Sequence, residues 1–369
     1  MSKIKVGIIF GGRSVEHEVS LLSAKSVIKN IDSDLHDIYP IFIDKNGLWH
    51  KVGINEWLND GELDVYIESF LTPSLNYENP GFFEISESKV LDELKLDVVF
   101  PVLHGTHGED GTIQGMFELM GIPFVGASVL GSSIGMDKIV MKAVLKESSL
   151  PVVPYIGFYK YEWGSRKESI RDDVLNQIGF PCFVKSADLG SSVGISKINS
   201  ESELNSAIDF SCQFSNRILV EKAVSNPKEI EISVLGHENP AASLPGEIIP
   251  HREFYDYAAK YLEEGTGLIA PAQIDEDMTN KLRELAIKTF KSLDCSGMGR
   301  VDFLIDGDTG DIFISEINTI PGFTQISMYP KLWEISGISF TELITKLIQF
   351  AIDRKNDKLK LRTNIKETS

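Results

Sequence analysis

The first run of apolar positions, Val6–Phe10, is unbroken and closes at Gly11-Gly12-Arg13-Ser14. The pattern then changes to a helical spacing through Leu21, Leu22, Ala24, Val27 and Ile28. A continuously apolar strand is one buried on both faces, and a glycine turn leading into a 3.6-residue period opens a parallel α/β unit. The same patterns predict strands at Asp37–Ile43 and Asp97–Leu103, a helix at Ile113–Met120 and a short strand at Pro123–Gly126. Between them, positions 48–85 form an aromatic-rich stretch with no assigned elements.

The middle of the chain reads differently. A helix is expected at Asp137–Ser148, a strand entry at Pro151–Pro154, a strand at Phe180–Lys185, a helix at Glu201–Asp209 and a strand at Ile218–Lys222. From Glu229 onward strands dominate (Ile230–Leu235, Ala242–Ile249), followed by a helix at Met278–Leu293, a hairpin and a final helix at Phe340–Arg354. This order predicts an α/β chain with a Rossmann-like parallel-sheet unit at 1–125 and two α+β subdomains at 126–220 and 221–369.

The hairpin carries the most chemistry. Residues i and i+2 share a strand face, so Arg300 and Asp302 point together, as do Glu316 and Asn318. A three-residue loop, Asp308-Thr309-Gly310 with a left-handed glycine, sets Asp302 opposite Glu316 and Arg300 opposite Asn318. Two carboxylates and an amide are oxygen ligands suited to Mg²⁺, and an adjacent arginine is what a transferring phosphoryl group needs.

Composition narrows the partners. The 369 residues are 42% hydrophobic and 24% charged, ordinary for a globular chain of two or three domains. A net charge of −18 argues against nucleic acid or an anionic membrane as partner. The cysteines Cys182, Cys212 and Cys295 lack CxxC spacing and read as buried free thiols. The N-terminal apolar run is too short for a signal sequence, and no segment has the length of a membrane span, so the expected location is the cytoplasm.

Several loops are candidates for ligand contact. Lys185 ends a strand five residues before Gly190-Ser191-Ser192-Val193-Gly194, where small residues let backbone N–H groups approach phosphate. Lys138 is a second candidate phosphate cation, Glu221-Lys222 a candidate hinge for an adenine edge and Glu229 a candidate partner for ribose hydroxyls; taken singly, each also reads as a solvated surface charge. Phe254 to Tyr261, with Lys260, reads as an aromatic lid that keeps water from a reactive intermediate. Glu16 lies at the carboxyl end of the first strand and can hold an ammonium group, and the loop from His104 to Gly111 also tops a strand and is expected to bind substrate. GxGxxG is absent, which argues against a dinucleotide-dependent oxidoreductase. A silent nucleotide-binding module would have no use for a transition-state arginine.

The strings GGRSVEHEVS (11–20), HGTHGEDG (104–111), GSSVGISK (190–197), EIEISVLG (229–236), FYDYAAKY (254–261), GMGRVDFL (297–304) and EINTIPGFTQISMYPK (316–331) resemble D-alanine–D-alanine ligases of the ATP-grasp superfamily. They occur in the family's order and cover nearly the whole chain. The resemblance implies an ATP-dependent joining of two D-alanines through a D-alanyl phosphate, for peptidoglycan precursors. It implies two Mg²⁺ (or Mn²⁺) held by Asp302, Glu316 and Asn318, with Lys138 and Lys185 on the ATP phosphates. Ser192 belongs to the phosphate loop, Glu221, Lys222 and Val224 line the adenine hinge with Phe254 nearby, Glu229 bonds the ribose, and Lys260 reaches the γ-phosphate. Glu16 is implied to bind the first D-alanine's ammonium in a bonded set with Ser191 and Tyr261. Ser327 is implied to hold the second alanine's carboxylate, and Arg300 with the Gly322 N–H the tetrahedral intermediate. The family is typically dimeric. Ser186 stands where proline is common, which predicts a looser loop, and Tyr261 favours the dipeptide over a D-lactate ester.

Overall fold

The computed structural model describes residues 2–59, 61–191, 193–249 and 267–362. The first strand, Ile4–Gly11, pairs in parallel with His36–Ile43 and Val98–Val102. Its buried run from Val6 explains the central position, since only a strand covered on both faces can be apolar throughout. Trp49–Gly53 and Asp64–Val65 extend this sheet antiparallel to five strands. The aromatic-rich stretch also supplies a separate three-stranded sheet, Phe70–Ser74, Gly81–Ser86 and Lys89–Lys95, which periodicity did not reveal. Pro123–Gly126 does not form a strand; it contributes one parallel bridge, Val99 to Phe124.

The middle segment folds as an antiparallel sheet in the order Ser196–Ile198, Cys182–Ser186, Arg217–Lys222, Tyr155–Tyr159. Helices unmarked by the sequence pattern include Val129–Met136 and Met328–Ile335; the first contains two glycines and the second a proline in its first turn. The expected strand Ala242–Ile249 is split into Ala241–Ala242 and Gly246–Ile249, with Pro245 at the break.

The last sheet holds the hairpin. Its strands run Gly267–Ile269, Gly246–Ile249, Lys228–Gly236, Gly297–Ile305, Ile312–Asn318, all antiparallel. Asp302 does pair with Glu316, and Arg300 with Asn318. The route to that register differs from the expectation. Asp306 N–H donates to Asp311 O, so the loop has four residues, Gly307–Gly310, and the strand ends are offset by one. A bulge at Ser315 adds the missing residue: Phe303 pairs with Ile314, whereas Asp302 pairs with Glu316. Ile314 and Ile317, three apart, both reach the core, and Ser315 and Glu316 are both left outside it. Without the bulge, Glu316 would turn into the apolar layer.

The final helix, Phe340–Leu359, packs its Leu343, Ile344, Leu347 and Ile348 into one core with Val6, Ile8 and Phe10 of the first strand and Phe323 and Tyr329. This shared core sets the loops above the first sheet against the hairpin. All three cysteines are buried free thiols. Among the described residues no single helix is long and apolar enough to cross a membrane.

Candidate active site

The edges of these sheets enclose a cavity of about 720 Å³. Glu16, His104, Lys138, Ser191, Arg300, Glu316, Asn318, Gly322 and Ser327 all line it. Nine positions drawn from both ends of the sequence thus face one space.

On one wall, Glu16 stands just before the helix His17–Asn30 but makes no cap bond to it. Its carboxylate is buried and accepts the Ser191 hydroxyl at 2.6 Å. Gly105 makes room for it, since a Cβ there would lie 2.4 Å from Glu16 Oε2 and the backbone is left-handed at φ +71°. Ser191 also has a left-handed backbone, φ 50°, the kind of local strain retained at ligand sites.

Opposite lies the hairpin. Arg300 donates a fork to Asp302, Nε to Oδ1 and Nη2 to Oδ2, both at 2.7 Å, and its Nε is 3.1 Å from Glu231 Oε2. Asn318 Nδ2 donates to Asp302 Oδ2 at 3.0 Å. Glu231 was not anticipated; register explains it, because Glu231, Asp302 and Glu316 form one row across three strands. Lys138 Nζ spans the gap, donating to Leu189 O at 3.0 Å and lying 3.5 Å from Glu316 Oε2. It therefore links the glycine loop to the acidic hairpin.

A second cluster sits beside the cavity. Glu221 is buried between Lys185 at 2.6 Å and Lys142 at 2.9 Å. Burial pushes the Glu221 carboxyl up, but Lys142 and Lys185 outweigh it and bring it down to about 2. Burial pulls the Lys185 ammonium down, and Glu221 first, with Glu316 and Glu229, more than restores it, so it is held above its ordinary value. Lys142 had no signal in the sequence beyond its place four residues after Lys138, one helical turn along. Lys222 is exposed, and Val224 and Glu229 are half-buried beyond this cluster.

His104 lines the cavity with both ring nitrogens engaged by the protein. Its ring is buried at the cavity wall, with Nδ1 2.9 Å from Ile320 O and Nε2 3.0 Å from Ser23 Oγ. A carbonyl only accepts, so Nδ1 carries the proton and Nε2 accepts from Ser23. Burial pulls the imidazole below its ordinary range, against Glu16, in keeping with a neutral ring. Glu109, also unanticipated, accepts the N–H of Gly105 and of Ile320, each at 2.9 Å. Burial, then Glu16, pushes its carboxyl up to about 8, against the pull of those N–H groups and Arg300.

Ser186 is tied to the loop by its side chain. It is buried, donates to Ser211 O at 3.3 Å and packs under Gly194, while Ser211 Oγ bonds Gly194 O at 2.5 Å. Ser192, Phe254, Lys260 and Tyr261 lie outside the described residues.

Glu316 and Asn318 line the cavity, and Asp302 is joined to them through Asn318 Nδ2; this oxygen-only donor set fits Mg²⁺. Among the described residues no group of three or more His, Cys, Asp or Glu forms a ready-made cage. A metal here needs ligands from elsewhere, as nucleotide phosphates supply.

Comparison with known proteins accords with this geometry. Residues 5–127 match the family model for the D-ala D-ala ligase N-terminus, and residues 144–349 that for the C-terminus. The chain is 46% identical to a D-alanine–D-alanine ligase of Thermoanaerobacter sp. (strain X514), covering 97% of this chain and 99% of that one. It is 44% identical to the enzyme of Natranaerobius thermophilus across the whole of both chains. Among solved structures it resembles the D-alanine-D-alanine ligase from Coxiella burnetii at TM-score 0.81 and 34% identity, covering 98% of this chain and 97% of that one. It also resembles the VanG D-Ala:D-Ser ligase from Enterococcus faecalis at TM-score 0.84 and 35% identity, covering 95% of this chain and 100% of that one. With a full-length match, both family halves and the ATP-grasp layering in place, this chain belongs to the D-alanine–D-alanine ligase family.

Proposed function

We propose that the cavity runs the family's reaction with the residues assigned here. The reaction itself follows from membership: ATP-dependent, Mg²⁺-requiring ligation of two D-alanines for peptidoglycan synthesis. The convergence of Glu16–Ser191, Lys138–Glu316 and Arg300 on one cavity, with Asp302 bonded to Arg300, carries the residue assignment.

The carboxylate of the first D-alanine is a poor electrophile until ATP converts it to an acyl phosphate. Glu16, held by Ser191 and completed by Tyr261, fixes the ammonium end, and fixed geometry removes most of the entropic barrier. Lys138 and Lys185 neutralise the phosphates, with Ser192 in the loop, and Lys260 reaches the γ-phosphate. Glu221, Lys222, Val224 and Phe254 hold the adenine and Glu229 the ribose. Two Mg²⁺ held by Asp302, Glu316 and Asn318 add charge neutralisation on the transferring phosphoryl group.

Ser327 holds the carboxylate of the second D-alanine, whose free amine attacks the acyl carbon. Arg300 turns its donors from Asp302 toward the developing oxyanion, joined by the Gly322 N–H, and phosphate leaves. The segment 254–261 closes over the acyl phosphate to exclude water. The chain works as three units, 1–125, 126–220 and 221–369, in a cytoplasmic homodimer; sedimentation equilibrium giving a monomer at working concentration removes the dimer.

The likeness to a D-Ala:D-Ser ligase keeps D-serine as the second reading of the acceptor. The test is phosphate release from ATP and Mg²⁺ with D-alanine alone, L-alanine, or D-alanine plus D-serine or D-lactate, with products identified by mass. D-alanine-dependent release yielding D-alanyl-D-alanine in every mixture is expected. A mixed product as the main species overturns the acceptor assignment, and no D-alanine-dependent release overturns the whole reading.

A further inference from the structure

The turn from Ile320 to Phe323 carries the Gly322 N–H that faces the developing oxyanion, yet little of its own strand holds it. The strand ends at Asn318. The turn is held instead by polar groups from the first α/β unit, 211 to 300 residues earlier in sequence. Ile320 is bonded on both sides of its peptide: its N–H donates to Glu109 Oε1 at 2.9 Å, and its carbonyl accepts His104 Nδ1–H at 2.9 Å. Three residues further, the Phe323 N–H donates to Ser23 Oγ at 3.3 Å, and the same hydroxyl donates to His104 Nε2 at 3.0 Å. Glu109's other oxygen, Oε2, takes the Gly105 N–H at 2.9 Å, in the loop that wraps Glu16.

The Ile320 carbonyl, the His104 ring and the Ser23 hydroxyl each have one sensible role. The Ile320 carbonyl fixes the imidazole tautomer, the tautomer fixes the Ser23 proton, and that leaves a Ser23 lone pair for Phe323. Both Glu109 oxygens accept backbone N–H groups, one on each side of the cavity. Gly322 lies between the two clamped residues, so its N–H direction is set by a frame from a different part of the chain.

We propose that Glu109 is a positioning residue for the second half of the reaction: it clamps the Ile320–Phe323 turn, with His104 and Ser23, so that the Gly322 N–H is aimed at the tetrahedral intermediate. This rests on the assignment of Gly322 made above. Glu109 has no direct role with ATP or the transferring phosphoryl group, so its loss separates the two half-reactions. Glu109→Gln keeps shape and one acceptor but turns an NH₂ toward one N–H donor, breaking half the clamp.

Formation of the acyl phosphate is read by positional isotope exchange in ATP labelled at the β–γ bridge, with D-alanine at a concentration that fills only the first site. Peptide synthesis is read by dipeptide mass at saturating D-alanine. In Glu109→Gln, dipeptide turnover is expected to fall about 10²-fold, the scale of a misaimed oxyanion donor, with isotope exchange within about threefold of the wild type. Ser23→Ala, which removes only the Phe323 bond and the hydroxyl on His104, is expected to show the same split at about a tenth of the size. Parallel loss of both readouts in the two variants, or no loss in either, overturns the proposal. Failure of the wild-type chain to exchange label with D-alanine overturns instead the functional assignment on which it rests.

Discussion

Two clusters in this molecule are built from the same residue types and behave differently. In the buried triad, Glu221 is fixed between Lys142 and Lys185 and has little solvent within reach. In the hairpin, Arg300, Asp302, Glu316 and Lys138 pair at the edge of an open cavity. A sealed pair cannot exchange partners without exposing a desolvated charge, so the triad acts as a rigid mount that holds Lys185 in place. The hairpin pairs can trade partners, because an incoming phosphate or cation replaces what each loses. On the proposed assignment, the resting contacts at the hairpin are placeholders for ligand contacts, whereas those of the triad stay in place.

The largest expected effect falls on the exchanging side. Arg300→Ala or Glu316→Gln should lower dipeptide turnover at least about 10³-fold, as loss of transition-state charge stabilisation does, while circular dichroism stays native. Ordinary activity in either variant would collapse the contrast. On the sealed side the effect moves to stability. Lys142→Met strips Glu221 of one of two cations, and chemical unfolding should show a loss of about 3–5 kcal/mol, the range for a broken buried ion pair. A change below 1 kcal/mol by that measure would class the triad with surface pairs.

Titration sharpens the comparison further. The Glu221 carboxyl is depressed to about 2, so its contribution is present above the unfolded-state value and is lost as pH falls toward 2. Glu109 has the opposite sign. Raised to about 8, it binds a proton in the folded chain that the unfolded chain has released, so it lowers stability as pH climbs from the ordinary carboxyl range toward 8. Unfolding free energy followed from about pH 2 to pH 9 should therefore lose part of its acid slope in Glu221→Gln, other depressed carboxyls such as Glu84 and Asp110 keeping the rest, and lose neutral-range slope in Glu109→Gln. The smallest effect is at Ser186→Pro, where one weak hydrogen bond is replaced by a stiffer backbone. Stability should move by less than about 1 kcal/mol and turnover by about twofold, read from the same assays.

Some features were legible because their signal is local. The apolar run at Val6–Phe10, the left-handed Gly310 and the i, i+2 pairing of Arg300 with Asp302 each depend on neighbours a few residues away. The pairing of Asp302 with Glu316 was also readable, though for an incomplete reason. A longer loop and a bulge at Ser315 compensate, and nothing in Ser315 itself announces a bulge. The sheet spanning 70–95 escaped notice because its strands alternate weakly, and the outer one, Lys89–Lys95, is mostly exposed. Glu231, Lys142, Glu109 and Ser23 escaped for a different reason: each matters only through residues far off in sequence.

Period and spacing by themselves determined the α/β opening and the hairpin face that presents two carboxylates, an amide and an arginine. The family strings extended that reading to the chemistry. Tertiary structure alone decided which charges became mounts and which stayed exchangeable. It also decided that Ser23, His104 and Glu109 would brace a turn near residue 320. The physical reason is that backbone preference is set by adjacent residues, whereas burial, register and desolvation are set by whatever the folded chain brings alongside.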